Sequence, residues 1–386
     1  MDHLDVIVLG LGGVGSATAR ALALRGARVL GIEQFDLVHD RGSSHGETRI
    51  IRKAYFEHPD YVPLLSAAYR GWDGLAAEAG RTLFERTGLL LVGPREGAVV
   101  GGTLEAARQH DLPLEVFDAG DLSRRHPGFQ DAPGLLGLFE ADAGFLRVED
   151  CVRAALDGAV ARGARLLARS PALSWRAVGN GVEVETAGER HRADRLVICG
   201  GAWAPRLLAG LGVALEPQRK VQLWLGAGEG APRLDRGSPT FGFHIGGRFF
   251  YGFPSLDGQT VKVAEHGPGA PVPNPAALDR ALHPDDLPRV VDFAAAHLRE
   301  VGPRVSRHAA CMYTLSPDEH FVVDRHPEHP QVALCAGLSG HGFKFATALG
   351  EALADLALEG ATALPVGFLG LHRFQRAAHT PMPIVE

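Results

Sequence analysis

The feature that most constrains how this chain can fold is a glycine-rich turn near its start, residues 10–15 (GLGGVG). The turn follows an apolar run at residues 6–9 and opens a segment with helical spacing, and a second apolar run follows at residues 29–32. This order of strand, turn, helix and strand predicts a βαβ unit, because a parallel strand pair needs a crossover connection. The chain is therefore expected to begin with a mainly parallel α/β layer.

Three glycines of this turn, Gly10, Gly12 and Gly15, match the G-x-G-x-x-G pattern of dinucleotide-binding βαβ units. Without side chains they permit a tight turn and let a pyrophosphate approach the helix N-terminus, where backbone N–H groups favour anions. Glu33 ends the second strand, where an acidic side chain accepts hydrogen bonds from ribose hydroxyls. The pattern predicts a bound dinucleotide, FAD or NAD, with a purely structural βαβ turn as the alternative.

Composition and charge restrict the class of ligand. At 386 residues the chain exceeds the usual size of a single hydrophobic core, which favours two domains. The net charge is -6 and the basic residues are scattered, so a nucleic-acid partner is not expected. No apolar run reaches the ~18 residues of a membrane span, and four widely spaced cysteines without a CxxC pair indicate neither disulfides nor zinc. We expect a cytoplasmic protein with a small-molecule ligand and no membrane partner.

The hydrophobic periodicity changes along the chain. Residues 61–80 have helical spacing, residues 81–92 indicate a pair of strands, and residues 149–200 indicate a helix followed by strands. From about residue 215, short aromatic and β-branched runs broken by Gly and Pro predict an antiparallel sheet. A strand at 332–336 and a helix at 346–358 return to the α/β pattern.

The predicted fold class is α/β, with a doubly wound dinucleotide-binding domain and a second α+β domain built on a mixed, largely antiparallel sheet. The first domain is discontinuous, because the β-rich segments interrupt it. Its predicted segments are residues 1–82, 142–214 and 312–386. The predicted second domain comprises residues 83–141 and 215–311.

A basic segment at residues 42–55 (GSSHGETRIIRKAY) follows the βαβ unit. Arg49 and Arg52 flank two isoleucines, which indicates partial burial, and buried arginines need anionic partners. A solvated basic face is the alternative. Arginine supplies nearly all the basic charge of this chain, so its few lysines are candidates for positions that need a compact charge or one able to change protonation. The lysines are Lys53, Lys220, Lys262 and Lys344.

Four sequence blocks carry a family resemblance. They are residues 42–55, residues 251–255 (YGFPS) with Lys262 and His266, residues 311–314 (CMYT) with 317–321 (PDEHF), and residues 337–344 (GLSGHGFK). In this order and spacing, from residue 5 to about residue 356, the chain resembles the monomeric sarcosine oxidase family, which includes N-methyltryptophan oxidase. The resemblance implies an enzyme whose first domain binds FAD and whose second domain holds the substrate.

The resemblance implies that Cys311 is joined through its sulfur to the 8α-methyl group of FAD, with a free or packed cysteine as the alternative. It also implies that Arg52 and Lys344 bind the substrate carboxylate, for which two cations in a pocket of low dielectric are suited. Lys262 matches a lysine that activates O₂, since a fixed positive charge stabilises the superoxide formed by the first electron transfer. A solvent-facing Lys262 is the alternative.

Further roles follow from the same resemblance. Arg49 is expected beside the flavin, and His266 and Tyr251 are expected to line the amine pocket, with a hydrogen-bonded core histidine as the alternative for His266. Tyr313 is expected to border the carboxylate site. The remaining expected contacts are His45 and Thr48 with the flavin and its water network, Tyr55 with the substrate, and Ser43, Gly201, Gly340 and Gly342 with the cofactor.

The predicted activity is the oxidation of sarcosine, with water and O₂, to glycine, formaldehyde and hydrogen peroxide by a monomeric enzyme that holds no metal. Alternatives are an oxidase of N-methyltryptophan, pipecolate or proline, and an amino-acid dehydrogenase that passes electrons to a quinone or a partner protein. A nucleotide-binding interaction protein is the non-enzymatic alternative, which leaves Cys311, Lys262 and Lys344 unexplained. His320, His326 and His329 are not expected to bind a metal, because prolines interrupt the segment.

Overall fold

The structure, a computed structural model, describes residues 3–377, which form nineteen strands and nine α-helices. The strands are β1 (Leu4–Leu9), β2 (Val29–Ile32), β3 (Thr48–Ile51), β4 (Phe84–Glu85), β5 (Leu89–Gly93), β6 (Glu115–Asp118), β7 (Leu136–Glu140), β8 (Gly144–Arg147), β9 (Arg165–Leu167), β10 (Ala172–Val178), β11 (Gly181–Thr186), β12 (Arg190–Ile198), β13 (Glu216–Ala227), β14 (Thr240–Ile245), β15 (Arg248–Phe253), β16 (Thr260–His266), β17 (Val301–Leu315), β18 (Val322–Arg325) and β19 (Val332–Ala336). The α-helices are α1 (Gly13–Leu24), α2 (Tyr61–Ala79), α3 (Ala98–Gln109), α4 (Leu122–Arg125), α5 (Val148–Val160), α6 (Ala204–Leu207), α7 (Pro288–His297), α8 (Ala346–Leu358) and α9 (His372–Ala377). Within residues 3–377, no helix is both long enough and apolar enough to cross a bilayer.

The first large sheet has a parallel centre. β1 pairs in parallel with β2 and β12, β2 with β9, and β12 with β19. Val6 and Val8 of β1 face a core formed with α1, α2, α5 and α8, whereas Ile7 and Leu9 face a second core on the opposite side. Burial on both faces explains why these strands are continuous apolar runs rather than alternating ones. The predicted doubly wound α/β domain is confirmed.

The second large sheet runs in the order β17, β13, β16, β15, β14, β5, β7, β6. Its neighbouring strands are antiparallel except β14 and β5, which pair in parallel. Phe241 and Phe243 of β14 pack against the rings of Phe129 and Phe293, so the aromatic composition of this region serves a packed core. The predicted mixed, largely antiparallel sheet is confirmed.

The basic segment at residues 42–55 connects the two large sheets. Its strand β3 joins β8 and β4 in a small third sheet. At the first sheet, Gly13 N, at the start of α1, donates a hydrogen bond to Ser44 Oγ (3.0 Å). At the second sheet, Ser43 Oγ donates to the Met312 carbonyl of β17 (2.6 Å). Side chains of this segment therefore reach both sheets.

Residues 81–92 do not form the predicted strand pair. β4 pairs with β8, whereas β5 pairs with β7 and β14, so the two strands lie in different sheets. All residues of β5 are buried. A strand buried in this way needs a neighbour on each side, which a local hairpin does not supply.

The division into two domains stays a prediction. β5, β6 and β7 from residues 83–141, and β13 to β16 from residues 215–311, belong to the second sheet. β17 runs across the predicted boundary after Cys311, because its pairing with β13 continues to Leu315. Residues 1, 2 and 378–386 of the predicted first domain lie outside the described residues.

Candidate active site

A large cavity lies where the two sheets meet. Its empty space, including space open to solvent at its mouth, is about 1980 Å³. Residues 10–15 and Glu33 line one part, called here the nucleotide end. Arg52, His266 and Lys344 line another part, called here the reaction end. Because one cavity includes both ends, a dinucleotide and a small second ligand could bind side by side in it.

The glycine turn forms the nucleotide end, and it has no space for a side chain at Gly10 or Gly15. Gly10 has a φ of 83°, a backbone conformation that favours glycine. A Cβ on Gly15 would lie 1.7 Å from the Gly10 carbonyl oxygen, whereas a Cβ on Gly12 would meet only Ser44 Oγ, at 3.5 Å. Space therefore remains in front of Gly12 at the N-terminus of α1, where a pyrophosphate is favoured.

Glu33 lies beside this turn and lines the cavity. It accepts hydrogen bonds from the backbone N–H groups of Leu11 (2.9 Å) and Phe35 (3.1 Å). An ionised carboxylate offers about four lone-pair positions, so Glu33 keeps capacity for ribose hydroxyls. Its predicted role in ribose binding stays a prediction with a suitable location.

Three further glycines expected at the cofactor, together with Ser43, line the same cavity. Gly201 and Gly340 have positive φ values of 50° and 81°. A Cβ on Gly340 would lie 2.3 Å from the Tyr313 ring, so glycine at this position allows the ring to pack against the backbone. Gly342 follows in the same loop. These glycines bring the main chain close to any ligand in the cavity.

Two buried cations, Arg52 and Lys344, line the reaction end. Arg52 Nη2 donates to Glu57 Oε2 (2.6 Å), but the buried Arg52 Nε has no partner among the described residues. Lys344 Nζ donates to the His341 carbonyl (2.8 Å). Two cations against one carboxylate leave a net positive charge in a dry environment, which an anionic ligand would compensate. The burial of Arg52 argues against the solvated basic face.

Burial and mutual charge set the protonation of this cluster. Burial, together with Arg52, lowers the pKa of Lys344 to about 7, against the opposing effect of Glu57. Burial alone would raise the pKa of Glu57, but Arg52, His341 and Lys344 lower it to about 2. Glu57 is therefore ionised at neutral pH, while Lys344 is close to its titration midpoint. A bound anion favours the charged form of Lys344.

Tyr55 does not line the cavity as predicted but lies behind the two cations. Its hydroxyl is 2.6 Å from His341 Nδ1 and accepts a hydrogen bond from Lys344 Nζ (3.4 Å). The Arg52 guanidinium lies 4.6 Å from the centre of its ring. Burial lowers the pKa of His341 to about 3, so this imidazole is neutral. Tyr55 and His341 thus fix the position of Lys344 through hydrogen bonds, and the expected contact of Tyr55 with the substrate stays a prediction.

Tyr251, His266 and Tyr313 add uncharged polar groups to the reaction end. His266 Nδ1 lies 3.1 Å from the Tyr313 hydroxyl. Burial lowers the pKa of His266 to about 4 and raises the pKa values of Tyr251 and Tyr313. At neutral pH the three side chains are therefore uncharged hydrogen-bonding groups, which suits a neutral amine.

Lys262 is buried behind the cavity wall, which excludes a solvent-facing lysine. Its Nζ donates hydrogen bonds to the Gly46 carbonyl and to Thr48 O (3.0 Å) and Oγ1 (3.1 Å). The ammonium also lies over the rings of Phe253 (4.8 Å) and Trp224 (5.2 Å). These contacts fix the position of a single charge, because three acceptors and two ring faces surround it.

Arg49 lines the cavity, whereas His45 and Thr48 are buried beside Lys262. Burial, reinforced by Arg49, holds the pKa of Lys262 well below its usual range, whereas two nearby carboxylates and its three hydrogen-bond acceptors favour the ammonium form. Burial also lowers the pKa of His45 to about 3, and its Nε2 has no partner among the described residues. A buried nitrogen of this kind needs a water or a ligand. The expected contacts of His45 and Thr48 with the flavin stay predictions.

Cys311 lines the cavity next to a residue that the sequence analysis missed. Gln222 Nε2 donates to Cys311 Sγ (3.3 Å), and Gln222 also lines the cavity. The available signal was the alternation of polar residues in the strand that contains Gln222 (EPQRKVQ), which marks a buried polar face. Glu57, Glu149 and Ser44 are the other contributors that the sequence analysis did not single out.

The three histidines near residue 325 are not gathered in one place. His326 and His329 stack with ring centres 4.8 Å apart, while His320 hydrogen-bonds to the Tyr61 hydroxyl (3.2 Å). Each histidine therefore has a packing role in the described region, and the expectation that no metal is bound stays a prediction.

Comparison with known proteins places these features in a family. Residues 5–356 match the FAD dependent oxidoreductase family. Monomeric sarcosine oxidase of Streptomyces avermitilis is 42% identical over 97% of this chain and 98% of that protein. The monomeric sarcosine oxidase of Bacillus sp. strain B-0618 is 36% identical, with 96% of each chain covered. N-methyl-L-tryptophan oxidase of Yersinia pestis is 34% identical, with 97% of this chain and all of that protein covered.

Solved structures agree on the fold. NikD, an amino acid oxidase of nikkomycin biosynthesis, superposes with a TM-score of 0.83 at 25% identity, covering 96% of this chain and 98% of that chain. Glycine oxidase of Geobacillus kaustophilus superposes with a TM-score of 0.80 at 20% identity, covering 96% and 99%. The match along nearly the whole chain, in sequence and in fold, means that this protein belongs to the FAD dependent oxidoreductase family, beside the monomeric sarcosine oxidases and N-methyl-L-tryptophan oxidases.

Proposed function

We propose that this protein is an FAD-dependent oxidase of a small secondary amino acid, with sarcosine as the preferred substrate and with FAD joined covalently to Cys311. The overall reaction converts sarcosine, water and O₂ to glycine, formaldehyde and hydrogen peroxide. The observation that carries the proposal is the pair of buried cations, Arg52 and Lys344, in the same cavity as the glycine turn and Cys311.

The residues of the cavity fit FAD. The open space before Gly12 and the free lone pairs of Glu33 suit a pyrophosphate and a ribose. Arg52 Nε and Gln222 Oε1 are buried and have no hydrogen-bond partner within residues 3–377, so both atoms can bind ligand groups in the cavity. When bound, FAD accepts a hydride equivalent from a C–H bond beside the amine and passes two electrons to O₂.

Arg52 and Lys344 orient the substrate by its carboxylate. Arg52 Nε is available for a charge-assisted hydrogen bond, and Lys344 supplies the second positive charge. Holding one end of a small molecule in this way fixes the position of its amine and the neighbouring C–H bond. A substrate without a carboxylate would leave one positive charge of the two buried cations uncompensated, because Glu57 balances only one of them.

Tyr251, His266 and Tyr313 provide the pocket for the amine. Because His266 stays neutral at physiological pH, it adds no positive charge that would compete with Arg52 and Lys344 for the substrate carboxylate. The His266–Tyr313 hydrogen bond fixes both groups. These residues hold the nitrogen in its unprotonated, electron-rich form, which the loss of hydride requires.

Lys262 supplies the electrostatic contribution to the oxygen step. Its ammonium is fixed by the carbonyls of Gly46 and Thr48. A preorganised positive charge stabilises the developing negative charge on O₂ without reorganisation. This placement favours an oxidase over a dehydrogenase that passes electrons to a quinone or partner protein.

The test of the proposal is spectroscopic. We expect the purified protein to be yellow, to keep its flavin through acid precipitation, and to lose its visible absorbance when sarcosine is added without oxygen. Admission of air should restore the absorbance and produce peroxide. Colourless protein that takes up no FAD, or flavin that no amino acid reduces, would contradict the proposal and favour a non-enzymatic nucleotide-binding protein.

Substrate identity needs a separate measurement. A panel of sarcosine, N-methyltryptophan, pipecolate and proline, scored for peroxide, should give the highest kcat/KM with sarcosine. A higher value for a larger amine would move the assignment to that substrate, and a uniform rate would contradict a tight pocket. The cytoplasmic location and the monomeric state stay predictions, to be checked by fractionation and by light scattering.

A further inference from the structure

Strand β13 has a polar face, of which Gln222 lines the cavity. Gln218, Lys220 and Gln222 alternate along the strand, which places their side chains on one side of the sheet. All three are buried. In the pairing of β13 with β17, Lys220 lies directly opposite Cys311. Residues directly opposite one another in an antiparallel pair share a face, with Cβ atoms roughly 5 Å apart, so Lys220 and Cys311 are neighbours on the same face of the sheet.

Gln222 makes the direct contact with the cysteine. Its Nε2 donates to Cys311 Sγ at 3.3 Å, and its side chain is buried at 2% exposure. Its Oε1 is buried and has no partner among the described residues. A Cβ on Gly46 would lie 2.6 Å from that oxygen, so the glycine opposite makes room for the amide. A buried amide with an unused oxygen is a costly arrangement unless a function retains it.

Lys220 is the one lysine whose role the proposed reaction does not explain. Lys53 pairs with Asp142, and Lys262 and Lys344 have the roles given above. Within residues 3–377, Lys220 makes no hydrogen bond or ion pair, and its ammonium lies 5.0 Å from the centre of the Tyr313 ring.

Lys220 also carries the charge needed near neutral pH. Burial lowers the pKa of Lys220 to about 8, against opposing effects of Cys311 and Glu265. The ammonium is therefore mainly protonated at pH 7, yet it lies where burial disfavours a charge. A cation placed in this way, opposite a cysteine, stabilises a negative charge on sulfur.

We propose that Lys220 and Gln222 are positioning residues that prepare Cys311 for its attachment to FAD. The inference rests on the covalent link in the proposed function. Gln222 directs the sulfur toward the cavity and donates a hydrogen bond to it, while the Lys220 ammonium places a positive charge on the same face of the sheet, opposite the cysteine. The thiolate is the reactive form of a cysteine, and a hydrogen-bond donor and a cation beside the sulfur stabilise negative charge on it during the attack.

The chemistry of the attachment balances with O₂ as the oxidant. Cys311 Sγ forms a C–S bond to the 8α-methyl carbon. The S–H bond and one methyl C–H bond break, and the two electrons released reduce O₂. The two hydrogens and the O₂ molecule leave as one hydrogen peroxide. Cys311 thus becomes a thioether, in which sulfur no longer carries a charge and Gln222 still donates a weak hydrogen bond.

The experiment follows the attachment itself rather than turnover. The full chain is produced in riboflavin-starved cells, FAD is added in air, and acid-stable flavin per chain is measured over time. Gln222→Leu and Lys220→Met should each slow attachment by about tenfold, as expected for loss of one charge-assisted contact. Lys220→Arg should restore the rate because it keeps the charge.

Matched controls separate positioning from packing. Gln222→Glu keeps the size of the side chain but replaces the donor with a carboxylate, so it should slow attachment more than Gln222→Leu. Gln218→Leu alters the same face of the same strand opposite Tyr313 rather than Cys311, and should attach FAD at the unaltered rate. Reversible FAD binding and the melting temperature, measured on each variant, report the integrity of the fold.

The outcomes distinguish the inference from the proposed link. Normal attachment in both Gln222→Leu and Lys220→Met, or equal slowing by Gln218→Leu, would overturn the inference while leaving the link in place. Absence of acid-stable flavin in the unaltered chain, or its persistence in Cys311→Ala, would overturn the link and the inference with it. Slow attachment with normal FAD binding, rescued by Lys220→Arg, supports the inference.

Discussion

The two ends of the cavity are built in different ways. The nucleotide end comes mainly from one short stretch of chain, residues 10–15, whose glycines leave the backbone exposed to a ligand. Glu33 adds one carboxylate to it. The reaction end is assembled from side chains on distant segments, including Arg52, His266 and Lys344. The first depends on tight packing, and the second depends on charge and hydrogen bonding.

This difference predicts different consequences of substitution. Changes at the nucleotide end should act first on folding and cofactor retention, because they displace main-chain atoms. Changes at the reaction end should leave the fold in place and alter one step of the reaction, because each side chain contributes a separate interaction. Four variants test the comparison.

The largest effect is expected from Gly15→Ala. The added Cβ would lie 1.7 Å from the Gly10 carbonyl oxygen, and neither backbone can move without separating α1 from β1. We expect the unfolding free energy to fall by more than about 4 kcal/mol, measured by denaturant titration and flavin content. Gly12→Ala is the control, since its Cβ meets only Ser44 Oγ at 3.5 Å and should weaken FAD binding without unfolding the chain. A Gly15→Ala protein with unaltered stability would break the comparison.

Lys262→Met should act on one half-reaction. The variant loses the fixed charge held by Gly46 and Thr48, so reoxidation by O₂ should slow by about 10²- to 10³-fold. Anaerobic reduction by sarcosine should stay within a few-fold, as measured by stopped-flow absorbance. Lys53→Met, a lysine paired with Asp142 away from the cavity, is the control for both steps. Equal losses in the two half-reactions would refute the oxygen role of Lys262.

The binding of a small carboxylate without an amine should depend on pH through Lys344. In the ligand-free protein the pKa of Lys344 is about 7, so the ammonium is present below pH 7 and is lost as pH rises. Affinity should therefore fall by up to about tenfold per pH unit above pH 7, measured by flavin absorbance changes. Glu57, with a pKa of about 2, keeps its charge in this range, and His266 and His341, with pKa values of about 4 and 3, stay neutral. The Lys344→Met variant should show weaker, pH-independent binding, and a pH-independent unaltered protein would exclude Lys344 from the site.

The smallest effect is expected from Glu149→Gln. The Glu149 carboxylate accepts hydrogen bonds from the backbone N–H groups of Gly46 (2.6 Å) and Glu47 (3.1 Å), and thereby holds the loop whose carbonyls bind Lys262. Replacing the carboxylate with a neutral amide should lower the unfolding free energy by about 1 kcal/mol, measured in urea. Asp150→Asn, an exposed neighbour on the same helix, should have no comparable effect. Equal effects of the two variants would mean that the loop is held by other contacts.

The same contrast explains what could be predicted from the sequence. The βαβ unit, the strand Val332–Ala336 and the helix Ala346–Leu358 follow from local periodicity and glycine stops, and the structure places them where expected. The strand pairing near residue 85 could not be read locally, because β5 finds its neighbours in residues 136–140 and 240–245.

At the site, the family resemblance identified side chains but not their partners. Glu57 lies only five residues from Arg52, yet its role depends on how the chain bends back to bring their side chains to 2.6 Å. Gln222 and Cys311 are 89 positions apart and meet only because β13 and β17 are neighbours. Tyr55, expected at the substrate, does not line the cavity but accepts a hydrogen bond from Lys344, a partner that its sequence position did not reveal. Candidate site residues could be named from the sequence, whereas the hydrogen-bond partner of each one depends on which strands pair in the fold.

The location of Cys311 on β17 has a mechanical consequence. β17 belongs to the second sheet, whereas the glycine turn that receives the other end of FAD belongs to the first. A cofactor anchored on Cys311 and seated at Gly12 would act as a cross-link between the two layers. The loaded protein should then melt in a single cooperative transition at a higher temperature than Cys311→Ala, in which no covalent bond joins the cofactor to the second layer. The covalent link would therefore stabilise the contact between the two sheets as well as retain the cofactor.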